Sequence, residues 1–405
     1  MDEPEIKNLL LIGMDVTSLA KSAKRAGYNV CAADHFGDQD LRAVSDCSFS
    51  VIKQKEGCSC GRLSADFDVK ALLEGAKKVS SIHPIDAILL ATGLDDSPEV
   101  LRELPEIAPI LGNPPETIRK ARDRERFINE LERLAVPAPE TVVVDDLSEA
   151  SRVSKETGFP IVVKPVKGFG GAGIRKVENL EELEQIFEKL HCPQQEMVIQ
   201  EYILGIAASV SVISSRNECS ALTLNEQLMG LSEFGQTEPF GYCGNIVPLP
   251  TSDKISSVCK ELAERIVLHF ELVGSNGVDF VISDDSVPYV IEVNPRFQGS
   301  LECVENVLGL NIVEAHVKAC RRGLLPKVPN AISKFCTRLI LFAPRRLVVP
   351  DLSRYTQVRD VPLPGVVIEK GEPICSIIAE EKDRVSSFRK AEDAAQRILS
   401  SLKPI

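Results

Sequence analysis

Apolar residues fall in short blocks separated by longer amphipathic stretches from the start of the chain. Asn8-Leu-Leu-Leu-Ile-Gly13 is a continuous apolar run ending at glycine, the pattern of a strand buried on both faces. Asp15–Ala26 has helical spacing and stops at Gly27, a residue that terminates helices readily. Tyr28–Ala33 reads as a second strand, and Ile85–Ala91 as another, followed by the polar turn Thr92–Ser97. Strands alternating with helices predict an α/β domain with a parallel, doubly wound sheet. The dinucleotide fingerprint G-x-G-x-x-G is missing after the first strand, where Gly13 stands alone, so an NAD site is not expected.

Leu111-Gly-Asn-Pro-Pro115 interrupts this pattern and suggests a boundary. A charged helix is expected over Ile118–Leu134, then a strand at Glu140–Val144. Asp146 with Glu149 three residues on opens the next helix as a capping box, and Gly158 closes it. Beyond Pro326–Pro329 the chain turns strand-rich (Phe335–Phe342, Val366–Ile368, Ile374–Ala379) before a last helix from about Ser387. Three units are therefore expected, covering residues 1–112, 113–325 and 326–405.

At 405 residues, with 44% apolar and 26% charged positions, the composition is that of a globular protein. No apolar run reaches the ~20 residues needed to cross a bilayer. The opening Met-Asp-Glu-Pro-Glu does not read as a signal peptide, so a cytoplasmic location is expected. The net charge of −12 argues against general affinity for nucleic acid. The 12 cysteines mostly sit singly in apolar segments, where they act as small hydrophobes. Cys58-Ser-Cys60 is the one close pair, and without complementary ligands in view it reads as an irregular loop.

Two segments carry chemistry. In Phe159–Gly173, Lys164 sits in the strand Ile161–Lys164 and shares a face with Val162. A lysine there needs an anionic partner if buried. Gly168, Gly170, Gly171 and Gly173 follow, and a loop this rich in glycine brings backbone N–H groups close to phosphates. The second segment, Gly277–Arg296, reads as two strands joined by the turn Ser283–Pro288. Glu292 and Asn294 lie two apart on one face, and Asp279 falls near cross-strand register with Glu292. Three oxygen-bearing side chains on one face suit Mg²⁺ shared with phosphates, and Arg296 adds a fork for phosphate or carboxylate oxygens. A Mg-nucleotide site follows.

The lysine strand with its glycine loop, the segment Val-Ile-Gln-Glu-Tyr-Ile-Leu-Gly205, and Ile-Glu-Val-Asn-Pro-Arg296 together resemble the ATP-grasp superfamily. Within it the chain looks most like ATP-dependent carboligases related to biotin carboxylase. The resemblance implies a Rossmann-like pre-ATP-grasp domain, a central ATP-grasp fold of α+β character and a small β-rich closing domain. It implies an ATP-dependent ligase that activates a carboxylate as an acyl phosphate and joins it to an amine. A carboxylase-type enzyme using bicarbonate, and a non-catalytic nucleotide-binding regulator, are the alternatives.

By the same resemblance Lys164 and Arg124 would reach ATP phosphates under the loop Gly168–Gly173. Gln200, Glu201, Tyr202 and Ile203 would line the adenine. Asp279, Glu292 and Asn294 would coordinate one or two Mg²⁺ (or Mn²⁺) ions, and Arg296 would act on the transferring phosphoryl group. Arg124 stands where relatives usually carry lysine, and Ala207 where many carry a ribose-binding glutamate. The loop Ser232–Pro250, with Phe234, Phe240 and Tyr242, is expected to border the acceptor. Small-molecule carboxylate and amine substrates are the expected partners, without nucleic acid or membrane, and homodimerisation is left open. The histidines, including His83, His269 and His316, read as packed or surface residues.

Overall fold

The structure, a computed structural model, describes residues 5–62, 67–168, 170–189 and 196–404. The chain opens with a parallel sheet of β1 (Asn8–Ile12), β2 (Asn29–Asp34), β3 (Cys47–Ser50) and β4 (Ala87–Leu90), ordered β3-β2-β1-β4. Leu9 and Leu11 pack into one hydrophobic cluster while Leu10 and Ile12 pack into another on the opposite face. That is why β1 is apolar at every position: the helix Thr17–Arg25 packs on one side of the sheet and Val69–Ser80 on the other. The doubly wound reading of this region holds.

The expected helix Ile118–Leu134 is instead two, Pro115–Arg122 and Arg124–Arg133. Asp123 breaks them apart: its backbone is extended and its side chain accepts a hydrogen bond from the N–H of Arg126 at 3.0 Å. The capping residue thus ends one helix by starting the next. Asp146 caps Leu147–Thr157 as expected, accepting from the N–H of Glu149.

A small antiparallel sheet follows, made of β5 (Thr141–Val144), β6 (Ile161–Pro165), β7 (Arg175–Val177) and β8 (Met197–Glu201), ordered β5-β8-β6-β7. The large sheet begins with β9 (Gly205–Ser214), β10 (Cys219–Met229), β11 (Tyr242–Val247), β12 (Gly274–Ser283) and β13 (Pro288–Asn294). It continues through β14 (Phe335–Phe342), with β15 (Leu347–Val348) leaving to join β17 (Val367–Ile368) and β19 (Lys403–Pro404) in a short ribbon. β16 (Val358–Arg359) and β18 (Pro373–Glu381) complete the large sheet, whose order is β13-β12-β9-β10-β11-β14-β18-β16.

The strands beyond Pro326 therefore extend the central sheet through the β11–β14 ladder, while packing a hydrophobic cluster of their own beneath Arg384–Ser401. Pairing there covers an edge that would otherwise expose unpaired backbone groups. Cys58 is exposed and Cys60 is buried in that same cluster, with its N–H bonded to the carbonyl of Val367. No helix among the described residues is long and apolar enough to cross a membrane.

Candidate active site

The small sheet and the β12–β13 hairpin face each other across a cavity of about 460 Å³. Its walls include Arg124, Lys164, Gly168, Gly170, Gly171, Gln200, Glu201, Tyr202, Ile203, Asp279, Glu292, Asn294 and Arg296. Every expected site residue except Gly173 borders it. Gly173 lies on the far side of the glycine loop, where its N–H donates to Glu238 at 3.2 Å.

Lys164 reaches the cavity because β6 alternates. Ile161 and Val163 point into the small sheet's core, and Lys164 points the other way. It is only 6% exposed, and its Nζ donates to Gln200 Oε1 at 3.0 Å. The partner is a neutral amide instead of the expected anion. Burial first, then the neighbouring Arg124, pulls the ammonium down to about 7, against the opposing pull of Glu292.

The hairpin register places Asp279 opposite Glu292, and Gly277 opposite Asn294. Asn294 Nδ2 donates to Asp279 Oδ2 at 3.0 Å, and Arg296 Nη2 donates to Asn294 Oδ1 at 3.0 Å. Burial and the adjacent Glu292 charge raise the Asp279 carboxyl to about 7, with Arg296 opposing. Glu292 goes the other way. Burial alone would raise it, but Arg122, Arg124, Lys164 and Arg296 outweigh that and hold it at about 2. Arg122 lies 3.4 Å and Arg124 3.6 Å from its carboxylate.

Asp279 Oδ1 is buried with no hydrogen-bond partner. A buried unpaired carboxylate oxygen beside a second carboxylate and an amide oxygen is a donor set that fits a hard divalent cation.

The glycine loop is pinned at several points. Gly168 N–H donates to Asp96 at 3.2 Å, and the Gly170 carbonyl accepts from Tyr242 N–H at 2.9 Å. Gly171 has φ +78°, and a Cβ there would sit 1.7 Å from the carbonyl oxygen of Phe240. Only glycine fits.

The sequence reading missed three charged residues. Asp96 grips Arg122 with both oxygens, at 2.9 and 3.1 Å, and Asp95 accepts from Arg296 Nε at 2.6 Å. Both aspartates lie in the turn after β4, and no motif marks them. Arg122 had one usable signal, its place one residue before the Asp123-Arg124 pair. The expected loop Ser232–Pro250 also differs: it contains strand β11, and Phe234 is buried in the C-terminal cluster. Phe240 and Tyr242 do line the cavity. His316 is packed, with Nε2 bonded to the Leu111 carbonyl at 2.9 Å and Nδ1 accepting from Ser275 N–H. His269 pairs with Glu130.

Residues 121–300 match the family model described as an ATP-grasp domain. The chain is 26% identical over 376 residues to an uncharacterised protein of Methanocaldococcus jannaschii, spanning 92% of this chain and 88% of that one. It is 24% identical to the carbamoyl phosphate synthase large chain of Helicobacter pylori, covering 89% of this chain but only 33% of that longer protein. Among solved structures, biotin carboxylase from Campylobacter jejuni superposes with a TM-score of 0.75 at 19% identity, over 96% of this chain and 91% of that one. That likeness of fold covers nearly the whole chain, so it reaches past residue 326. The segment that matches the ATP-grasp domain model, residues 121–300, supplies the lysine strand, the glycine loop and the acidic hairpin of the cavity.

Proposed function

We propose that this protein is an ATP-dependent ligase that activates a small carboxylic acid as its acyl phosphate and joins it to an amine. The observation that carries this reading is the convergence of Lys164 and the glycine loop with Asp279, Glu292, Asn294 and Arg296 on one cavity. Three basic side chains (Arg124, Lys164, Arg296) and two carboxylates (Asp279, Glu292) line it, and Arg122, Asp95 and Asp96 back them through Glu292, Arg296 and Gly168. Phosphoryl transfer asks a protein mainly for positioning and for charge stabilisation, and these groups supply both.

In this reading the triphosphate lies against Lys164 and Arg124 beneath Gly168–Gly171. The adenine lies against Gln200–Ile203. Asp279, Glu292 and Asn294 would hold Mg²⁺ (or Mn²⁺), whose chemistry would be to neutralise phosphate oxygens. The acid's oxygen attacks the γ-phosphorus and ADP leaves, with Arg296 facing the developing charge. The amine nitrogen then attacks the acyl carbon, phosphate leaves, and the nitrogen gives up a proton.

The acceptor has a place of its own. A second cavity of about 480 Å³ shares Gly170, Tyr242 and Gln298 with the first. Phe36, Phe297 and Phe342 give it an apolar wall, and Arg338 spans Asp15 at 3.1 Å and Asp360 at 2.8 Å. Asp360 Oδ1 is buried without a partner, which suits an ammonium group on a partly apolar substrate. A second reading, a carboxylase-type reaction on bicarbonate, is favoured by the fold shared with biotin carboxylase.

The test is a screen of acid–amine pairs, and of bicarbonate, for release of ADP and phosphate by the purified chain with MgATP. Release that needs both an acid and an amine supports the ligase. Release driven by bicarbonate alone moves the assignment to the carboxylase class, and failure of MgATP to bind overturns both.

A further inference from the structure

We propose that Cys31, Cys47 and His83 form a zinc-binding site in the N-terminal sheet, separate from the nucleotide cavity. Cys31 on β2 stands directly opposite Cys47 on the edge strand β3, in parallel register. Both side chains therefore project from the same face, the one covered by the helix Val69–Ser80. The turn ending that helix brings in the third group: the N–H donors of Ile82 and His83 both bond the Val79 carbonyl, and Pro84 follows His83. One ligand atom from each of the three residues lies within 4.8 Å of the others.

Tetrahedral zinc, with Zn–S near 2.3 Å and Zn–N near 2.0–2.1 Å, holds such atoms roughly 3.5–3.8 Å apart. The site would close by about an ångström. Cys31 is buried and fixed, whereas Cys47 and His83 are half-buried, so the two outer ligands have room to make that adjustment.

Two thiolates and an imidazole select a soft or borderline ion over the hard cations that suit the Asp279–Glu292 hairpin. On binding, two S–H bonds break, two Zn–S bonds form, and two protons leave to solvent. His83 binds as the neutral ring, and water completes the fourth position. The ion would tie the edge strand β3 and the turn at Pro84 to β2.

The experiment uses the full chain, reduced and stripped with chelator, titrated with Co²⁺ and then Zn²⁺ without nucleotide. One equivalent of cobalt should produce the thiolate charge-transfer absorption and the strong visible bands of a tetrahedral ion. Cobalt on oxygen ligands lacks that charge-transfer band, so the acidic hairpin cannot mimic the signal. Zinc should displace cobalt and raise the melting temperature. Cys47→Ser and His83→Gln should each weaken binding by roughly 100-fold or more, beyond the 10–100-fold cost of losing an outer-shell partner. Cys58→Ser with Cys60→Ser should leave it unchanged. In the wild-type chain, zinc should protect Cys47 but not Cys58 from alkylation, a readout that needs no variant to fold. No thiolate–cobalt band at one equivalent, a band that survives Cys47→Ser, or equal alkylation of Cys47 with and without zinc overturns the proposal.

Discussion

Asp95 and Arg296 are 201 residues apart in the chain, yet the carboxylate accepts from Arg296 Nε at 2.6 Å with both side chains nearly buried. The contact joins the turn after β4 to the end of the acidic hairpin. It fixes one nitrogen of the guanidinium while Nη2 stays on Asn294. Asp95→Asn should therefore lower ATP turnover about 10- to 100-fold, the range for losing one charged hydrogen bond at a positioned group. The KM for ATP should move less than kcat. Steady-state kinetics of phosphate release check this, and an unchanged kcat would detach Arg296 from the reaction.

Glu292→Gln should lower turnover by roughly 10²-fold or more, the scale of losing one preorganised charge. It should also lower the melting temperature, since Arg122, Arg124 and Lys164 lose their shared anion. With its pKa held at about 2, Glu292 contributes stability above its ordinary value of 4.5, and that contribution is lost as pH falls toward 2. The variant's melting curve should accordingly be flatter across that acid range. Asp285→Asn, in the exposed turn of the same hairpin, is the control and should stay within about 0.5 kcal/mol of wild type.

Lys164, held near 7 by burial and by Arg124, is largely neutral at pH 8 and should take up a proton when a triphosphate arrives. Asp279, also near 7, is already ionised at pH 8 and adds little to the exchange. Calorimetry of MgATP binding at pH 8 in buffers of different ionisation enthalpy should show this uptake. Lys164→Met should abolish it. Buffer-independent heats in the wild type would place the phosphates away from Lys164.

The glycine loop offers a paired test. A methyl group added at Gly171 would meet the Phe240 carbonyl oxygen at 1.7 Å, so Gly171→Ala must displace the loop, and the KM for MgATP should rise about 10-fold or more. Gly170→Ala meets open space and carries only the strain of φ +65°, about 1–2 kcal/mol. Its effect on KM should be smaller. Equal effects would mean that loop conformation, and not the contact with Phe240, controls nucleotide binding.

Phe280 lies beside Asp279 on β12, is 1% exposed, and packs in the cluster under Asp253–His269. Phe280→Ala should cost about 3–5 kcal/mol in urea unfolding. A loss under about 1 kcal/mol would show that the hairpin is not anchored by that core.

The amino-acid sequence by itself determined several of the strands and the chemistry that the lysine strand and the acidic hairpin carry. β1 was legible because a strand covered on both faces must be apolar throughout. Lys164 was legible because its charge interrupts such a run before a cluster of glycines. The nearness of Asp279 to Glu292 followed from the length of one turn, but that turn alone would pair Asp279 with Ile291, and a bulge between Asp279 and Phe280 shifts the register by one to set it opposite Glu292. The Asp123 break was less visible, because a capping aspartate inside a charged helix looks like one more surface residue. Only the tertiary structure set Asp95, Asp96 and Arg122 against the residues that line the cavity, buried Phe234 away from it, and laid β14 along β11. Each of those arrangements joins residues far apart in the chain, and contacts at such separations leave no periodicity or spacing to read. What decides them is where the packed sheets bring charge next to charge and cover apolar surface.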